Sequence, residues 1–250
     1  FVLTPYAESL REPVRLAVEA ADALLGSARE FDPSHSAKRF TVSMSEYAMS
    51  VLAKPLTELL SRQCPNCSVD FDTLVATPEE FETQLMRRDV IISPQGFDFP
   101  GRQQPVFTDE LVCVVARDNP YLVDGSLSVS ALASMPHAVA QFAASGVRTR
   151  PLERALDSVG LASRTVLVSL TSLLVLPFAV SGTDMCAFVP RRLARRTAGL
   201  LDLTVATTPV PRVTIVEAAR WHPRRESDPA VTWVRRLLHD VAVAVEDEVS

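Results

Sequence analysis

The fold is decided by the stretch FTVSMSEYAMSVLAKPLTELL, residues 40–60. Its first four residues, 40–43, predict a short strand, and the apolar side chains that follow recur at the spacing of a helix. Two small hydroxyl side chains, Ser43 and Ser45, lie at the junction. Because a helix N-terminus has unpaired backbone N–H groups and a partial positive charge, this junction is suited to binding a carboxylate or another anion.

A second junction of the same kind occurs in RTVLVSLTSLLVLPFAV, residues 164–180. The pattern predicts a strand at 165–168 and a helix at 171–180, with Thr171 and Ser172 where they meet. We therefore predict two lobes, each of which points one helix N-terminus at a shared cleft.

Composition excludes several classes of protein. The chain has 250 residues, and 47% of them are apolar, which is enough to form a core. Its net charge is -5, which does not indicate a basic nucleic-acid-binding surface. No apolar run reaches the roughly 20 residues that span a bilayer, and the N-terminus does not resemble a signal peptide. We expect a cytoplasmic protein without membrane contact, and a chain excised from a longer one.

The four cysteines do not predict a metal or catalytic site. Cys64 and Cys67 form CPNC, which could be a redox pair or half of a zinc site, but no second CxxC or close histidine pair accompanies it. We interpret CPNC as a turn that ends a helix. Cys113 and Cys186 lie in apolar strand patterns and are expected in the core of a protein from a reducing compartment.

Strand and helix patterns alternate along the rest of the chain, which predicts an α/β fold. In the first lobe we predict an irregular loop at 94–105 between a strand at 90–93 and two strands at 106–107 and 111–116. The second lobe is predicted to contain helices at 129–133, 147–159 and after Pro190, and strands at 137–141, 185–189, 201–206 and 213–219. A last amphipathic helix begins with Asp228 as N-cap.

The first predicted helix begins at Thr4 and Pro5 and ends at Gly26. It has a single apolar stripe, formed by Leu10, Val14, Ala17, Val18, Ala21, Leu24 and Leu25. Such a stripe is expected to pack against a partner. The partner is either another chain or the missing remainder of this one, and the alternative is that the helix packs against its own domain.

Several segments together resemble the LysR-type transcriptional regulators. LTPYAESL resembles the start of their linker helix, the opening stretch resembles the start of their effector-binding domain, and DELVCVVARDNP and ARWHPRRESDPAVTWVRRLL resemble their two crossings between subdomains. TDMCAFVPRRLA resembles a strand of their second lobe. The set is most similar to the branch that senses plant flavonoids, salicylate and similar aromatic acids.

The resemblance implies a type 2 periplasmic-binding-protein-like α/β fold with two lobes joined by two crossover strands and preceded by a long linker helix. It divides the chain into a dimerisation helix at 1–30, a linker at 31–38, lobe I at 39–116 and 220–250, and lobe II at 117–219. The DNA-binding winged helix-turn-helix would precede residue 1.

The same resemblance, combined with the junctions above, predicts an effector site in the cleft. The helix N-termini and strand ends are the places where open α/β sheets bind ligands. Ser43, Ser45, Thr171 and Ser172 could instead cap helices, and Phe142 could fill the core of the lobe. The predicted effector-binding residues are Ser43, Met44, Ser45, Ser93, Pro94, Gln141, Phe142, Thr171, Ser172 and Pro190.

Three other features have less specific interpretations. Glu46 is expected to face solvent in the first turn of its helix. Trp221 and His222 could gate the cleft, although packing at a hinge is the favoured interpretation. The run RRLARR, residues 191–196, is interpreted as a solvated helix face.

The predicted function is effector sensing and oligomerisation in a transcriptional regulator, with a small aromatic or carboxylated effector, promoter DNA and a homodimer or homotetramer as partners. The alternative is a solute-binding protein of a transport system, which uses the same fold. Since no catalytic motif is present, we predict that the chain is not an enzyme and needs no cofactor.

Overall fold

The structure of the protein is a computed structural model that describes residues 4–26, 31–74, 78–96, 99–140 and 151–247. The helices are α1 (Pro5–Gly26), α2 (Glu46–Gln63), α3 (Pro78–Arg87), α4 (Val129–Ser134), α5 (Pro151–Ser158), α6 (Leu176–Val180), α7 (Arg191–Thr197) and α8 (Pro229–Asp247), with a 3-10 turn at Pro223–Arg225. The strands are β1 (Arg39–Met44), β2 (Ser68–Thr73), β3 (Val90–Pro94), β4 (Arg102–Ala116), β5 (His137–Ala140), β6 (Val166–Leu170), β7 (Cys186–Pro190), β8 (Leu203–Ala206) and β9 (Val213–Trp221).

These strands form one continuous sheet in the order β2-β1-β3-β9-β4-β7-β5-β6, and β8 pairs with β4. At one end β1 is parallel to β2 and β3, and at the other β5 is parallel to β6 and β7. Between them run β4 and β9, which are antiparallel to each other and connect the two halves. The predicted fold of two α/β lobes with two crossover strands is confirmed, while the residue boundaries of the lobes stay a prediction.

The first crossover strand is longer than the sequence predicts. We expected two short strands after an irregular loop at 94–105, but β4 is one strand of 15 residues that begins at Arg102. Residues 102–111 of this strand pair with β9, and the register shifts between Pro105 and Phe107. A proline cannot donate to a ladder, so a bulge beside it lets the strand continue.

The helices at the two ends of the chain agree with their predicted starts. The Thr4 hydroxyl accepts a hydrogen bond from the backbone N–H of Ala7 at 3.2 Å. In the same way Asp228 accepts from the N–H groups of Ala230 and Val231 at the start of α8. Both N-caps were read from local sequence alone, because capping depends only on neighbouring residues.

The main core extends through both lobes. On the lobe I side α2 packs against α8, and buried side chains of both helices, such as Leu52 and Leu238, belong to the same cluster as those of β1. On the lobe II side the same cluster includes Leu176 and Val189. One continuous core means that the lobes are coupled by packing as well as by the crossover strands.

The helix predicted at 171–180 is wrong at its start. The strand β6 continues to Leu170, a turn follows, and α6 begins only at Leu176. Pro177 lies in its first turn, and its N-cap, Val175, makes no side-chain capping bond. Since proline favours the first turn of a helix, Pro177 sets the start later than the apolar periodicity does.

The cysteines behave partly as expected. Residues 64–67 form the predicted turn at the end of α2, but the turn brings the two Cα atoms to 5.3 Å and Cys64 and Cys67 form a disulfide. Cys113 and Cys186 are buried free thiols, as predicted. A hydrogen bond from Cys113, then one with His137, holds the pKa of Cys186 below its ordinary value.

Within the described part of the chain, no helix has the length and apolar composition that a bilayer-spanning helix needs.

Candidate effector-binding cleft

The first predicted site residues, Ser43 and Met44, are completely buried at the end of β1. Ser43 lies opposite Asp72 of β2 and Ile91 of β3. Among the described residues its hydroxyl has no hydrogen-bond partner. The Ser43 hydroxyl therefore has a donor and an acceptor that no described residue uses, at the end of β1. A buried hydroxyl without a partner costs free energy.

The N-terminus of α2 follows directly. The Ser45 hydroxyl accepts a hydrogen bond from the N–H of Ala48 at 3.1 Å, and its carbonyl accepts from the N–H of Met49 at 2.8 Å. The structure therefore shows the capping role of Ser45. The described residues offer no acceptor to the N–H groups of Glu46 and Tyr47, the first two of the helix. Two donors and the positive end of an 18-residue helix thus lie together at the end of β1.

The second strand end holds Ser93 and Pro94, which lie opposite Ala218 and Glu217 of β9. Ser93 is completely buried, and its hydroxyl accepts a hydrogen bond from the Arg220 Nε at 2.8 Å. Pro94 is half-buried at the end of the strand. The Ser93 hydroxyl is therefore already paired with the second crossover strand, whereas Pro94 lies at the end of β3.

Two of the predicted lobe II residues do not lie at a helix start. Thr171 is exposed and Ser172 half-buried, and both precede α6 by several residues, so neither lies at a helix N-terminus. Pro190 is buried opposite Leu111 of β4, where β7 meets α7. Gln141 and Phe142 lie outside the described residues.

A buried acid that the sequence did not indicate connects the lobes. Asp109, in β4, is 6% exposed. The Tyr47 hydroxyl of α2 donates a hydrogen bond to its carboxylate, and so does the backbone N–H of Arg192 at 3.3 Å. The Arg192 guanidinium lies 3.7 Å from the same oxygen. One carboxylate therefore joins α2, β4 and α7.

Arg192 also corrects the interpretation of residues 191–196 as a solvated face. Its guanidinium is buried and donates to the carbonyls of Thr108 at 2.5 Å and Val245 at 3.3 Å. In the same helix Arg196 donates to the carbonyl of Ser50 in α2 at 2.5 Å. The short helix α7 turns these arginines toward lobe I, and local charge patterning contains no information about that contact.

Tyr47 stays a hydrogen-bond donor. Burial, followed by the negative charge of Asp109, raises the pKa of its phenol above the ordinary value. Its ring also meets that of Phe107 edge to face, with 6.1 Å between the ring centres. The second residue of α2 is therefore fixed against the first crossover strand.

The second unpredicted acid is Glu217 in β9. It is 4% exposed, and its Oε2 has no hydrogen-bond partner among the described residues. Burial raises the pKa of this carboxyl from its ordinary 4.5 to about 7. The sequence VTIVEAARW shows a single acid within an apolar strand, which is the one local sign that could have drawn attention to it.

Trp221 follows at the end of β9 and is buried. Its indole N–H donates to Glu226 at 2.8 Å, and the Arg235 guanidinium lies 3.5 Å above its ring. His222 accepts from the N–H of Arg224 in the following turn. These contacts favour the packing interpretation of this pair over a gate.

Comparison with known proteins identifies the family. The LysR substrate binding domain matches residues 33–243. Nodulation protein D 3 of Rhizobium leguminosarum bv. phaseoli is 32% identical over 244 residues, which cover 95% of this chain and 78% of that protein. The chain belongs to the LysR family of transcriptional regulators.

Solved LysR-type structures share the fold. The regulatory domain of MexT, a transcriptional activator in Pseudomonas aeruginosa, has a TM-score of 0.67 and 20% identity, over 82% of this chain and 98% of that one. An OxyR mutant of Corynebacterium glutamicum, with H2O2 bound, has a TM-score of 0.70 and 15% identity, over 99% of this chain and 80% of that one. Both resemblances show the periplasmic-binding-protein-like architecture.

The predicted function is therefore confirmed at the level of the LysR effector-binding domain. The relatives are transcriptional regulators, which agrees with the prediction that the chain is not an enzyme and does not favour the solute-transport alternative. LysR-type regulators bind DNA and small-molecule effectors. In the described residues, no group of side chains is arranged to hold a metal ion.

In this LysR domain the contact of Arg192 with Asp109 can be tested by truncation. Arg192→Ala leaves a buried carboxylate without its charged partner, so we expect the free energy of unfolding to fall by about 3–5 kcal/mol in urea titrations. Arg195→Ala is the matched control, because Arg195 is exposed in the same helix, and it should change stability by less than about 0.5 kcal/mol. Equal losses in the two variants would contradict the assignment.

Glu217 predicts a pH dependence of stability. Its folded-state pKa of about 7 lies above the ordinary 4.5, so the folded state keeps a proton that the unfolded state has lost, and stability falls as the pH rises through that window. We expect Glu217→Gln to gain up to about 3 kcal/mol relative to the wild type between about pH 5 and pH 8. A pH-independent difference, measured by urea unfolding at both values, would count against a buried, unpaired Glu217.

Proposed function

We propose that this domain senses a small carboxylated, aromatic molecule that binds between its two lobes. The observation that carries the proposal is the N-terminus of α2, where the N–H groups of Glu46 and Tyr47 have no acceptor among the described residues. An anion at this position would meet two donors and the positive end of the helix. The aromatic character of the effector rests on the resemblance to the branch that senses such acids.

The proposed binding place lies beside the crossover strands. Tyr47, the second residue of α2, contacts both Asp109 and Phe107 of β4. An effector at the start of α2 is therefore next to the segment through which the lobes are joined. The other proposed contacts are Ser43, Met44, Ser93, Pro94, Gln141, Phe142, Thr171, Ser172 and Pro190.

The effector would act on the arrangement of the lobes. Arg192 and Arg196 of α7 reach carbonyls of α8 and α2, so a small rotation of one lobe changes these contacts. A ligand shifts such an equilibrium only by its difference in affinity for the two arrangements. The shift would pass through α1 to a winged helix-turn-helix that binds promoter DNA in the cytoplasm.

Assembly is proposed to use α1. The apolar side chains Leu10, Val14 and Val18 lie on one stripe of this helix and are exposed in the single chain. An exposed stripe of this kind is covered by pairing with the same helix of a second copy, giving a homodimer or a homotetramer. In a further contact, α2 of one subunit would pack on α5 of the next.

Val14→Glu tests this pairing. A charge in the middle of a helix–helix interface is costly, so we expect the molar mass in multi-angle light scattering to fall from dimer or tetramer to a smaller species. Ser9→Glu adds the same charge away from the stripe and should leave the mass unchanged. A wild-type chain that is monomeric at every concentration would refute this assembly.

Ser45→Asp tests the effector site. Aspartate caps helices as well as serine does, so the variant should fold normally, but its charge repels a carboxylate at the start of α2. In calorimetric titrations with benzoate and 2-hydroxybenzoate we expect at least about tenfold weaker binding than in the wild type, which corresponds to about 1.4 kcal/mol.

Ser45→Asn is the matched control, because asparagine caps the helix without a charge and has nearly the same shape as aspartate. Its affinity should stay within about threefold of the wild type. Equal binding by the aspartate and asparagine variants would refute an anion site at this helix, and a wild type that binds neither compound would refute the aromatic-acid effector.

A further inference from the structure

The disulfide between Cys64 and Cys67 lies far from the candidate cleft. The cleft is at the N-terminus of α2 and the disulfide is at its C-terminal end, and a helix of 18 residues is about 27 Å long. Only Pro65 and Asn66 separate the two cysteines. A disulfide that closes so short a loop constrains the unfolded chain less than one that closes a long loop. The pair is therefore better suited to opening and closing than to stabilising the domain.

The two sulfurs differ in their access to solvent. Cys64 is completely buried at the end of α2, whereas Cys67 is half-buried and follows the exposed residues Pro65 and Asn66. A small thiol in solution therefore reaches the Cys67 sulfur first, and the Cys64 sulfur is the leaving group of that attack. The disulfide is open to thiol–disulfide exchange from one side.

The position of Cys64 also determines the protonation state of the reduced pair. Cys64 is the C-cap of α2, and its backbone N–H donates to the carbonyl of Leu60 at 2.7 Å. The C-terminus of a helix has a partial negative charge, which disfavours a thiolate. Reactive cysteines of enzymes lie instead at helix N-termini or beside cationic groups, which stabilise the thiolate. The reduced pair is therefore protonated at neutral pH, and the arrangement is not that of an oxidoreductase.

Both sulfurs contact the linker that precedes β1, residues 31–38. The carbonyl oxygen of Ser36 lies 3.5 Å from the Cys67 sulfur and 3.9 Å from the Cys64 sulfur. A disulfide has no hydrogen to donate to this carbonyl, whereas each thiol of the reduced pair has one S–H group. Reduction therefore adds a hydrogen-bond donor next to a carbonyl that the oxidised pair only contacts.

The linker also contacts the domain on either side of Ser36. The Phe31 ring packs against the Trp233 ring of α8, with 5.2 Å between the ring centres. The Lys38 ammonium lies 3.4 Å from the carboxylate of Asp89. A change at Ser36 therefore acts in the middle of the segment that lies between α1 and β1 in the chain.

We propose that Cys64 and Cys67 form a thiol–disulfide exchange site for low-molecular-mass thiols, and that its reduction tightens the docking of residues 31–38 onto the domain. The thiolate of a small thiol attacks the Cys67 sulfur, the S–S bond breaks, and the Cys64 sulfur leaves as a thiolate that takes up a proton. A second small thiol attacks the mixed disulfide and releases Cys67. Two small thiols are thereby oxidised to one disulfide, and the protein disulfide is reduced by two electrons. The inference is independent of the effector site.

The test follows the redox state and the linker together in the intact chain. The chain is equilibrated with glutathione and glutathione disulfide at a series of ratios, and its free thiols are alkylated under denaturing conditions and counted by mass spectrometry. We expect the pair to change from disulfide to dithiol as the share of glutathione rises, while the buried Cys113 and Cys186 are free thiols throughout. Hydrogen exchange of the amides of residues 34–38 should be at least about twofold slower in the reduced chain.

Cys67→Ser is the matched control, because serine is similar in size to cysteine and cannot form the disulfide. Position 67 is half-buried, so the variant is expected to fold. The amides of residues 34–38 should exchange at the same rate in the most oxidising and the most reducing glutathione mixture.

Three results would each overturn the inference. The first is a pair that stays a disulfide in excess glutathione, or stays reduced in excess glutathione disulfide, because the site would then not be reversible. The second is exchange at residues 34–38 that is equal in the two states of the wild type, or slower in the oxidised one. The third is a redox-dependent exchange rate that persists in Cys67→Ser, because the effect would then come from another cysteine.

Discussion

The structure depends on one buried carboxylate, Asp109, at the point where the first crossover strand passes from one lobe to the other. Tyr47 reaches it from lobe I, and Arg192 reaches it from lobe II. A charge of this kind is tolerated in a protein interior only while its partners stay in place. The three residues therefore fix how α2, β4 and α7 lie relative to one another, and the start of α2 is held at the hinge.

This constraint explains why the candidate cleft combines rigid and unsatisfied groups. The Tyr47 hydroxyl and the Asp109 carboxylate are saturated, whereas the N–H groups at the start of α2 and the Glu217 Oε2 are not paired by the described residues. The saturated groups position the others without competing for a ligand. Preorganised polar groups of this kind let a small molecule bind without first rearranging the lobe, which lowers the entropic cost of binding.

Sequence reasoning succeeded where the determinants are local and failed where they are not. Thr4 and Asp228 were recognisable as N-caps because a cap depends on the next three residues. The start of α6 was misplaced because Pro177 begins the helix later than the apolar periodicity predicts. The continuity of β4 could not be read from the sequence, since residues 102–105 become a strand only by pairing with β9. Arg192 looked solvated because its partners lie 83 and 53 residues away.

The sequence by itself determined the two-lobe α/β fold, the LysR family and the helix that follows β1, because periodicity, caps and short motifs are properties of neighbouring residues. Only the tertiary structure decided which polar groups are paired. Whether Asp109 is satisfied, while Glu217 Oε2 has no partner among the described residues, depends on which side chains meet across β4, β9, α2 and α7. Hydrogen bonds form between groups that approach within about 3 Å, and the chain brings them together only when it folds.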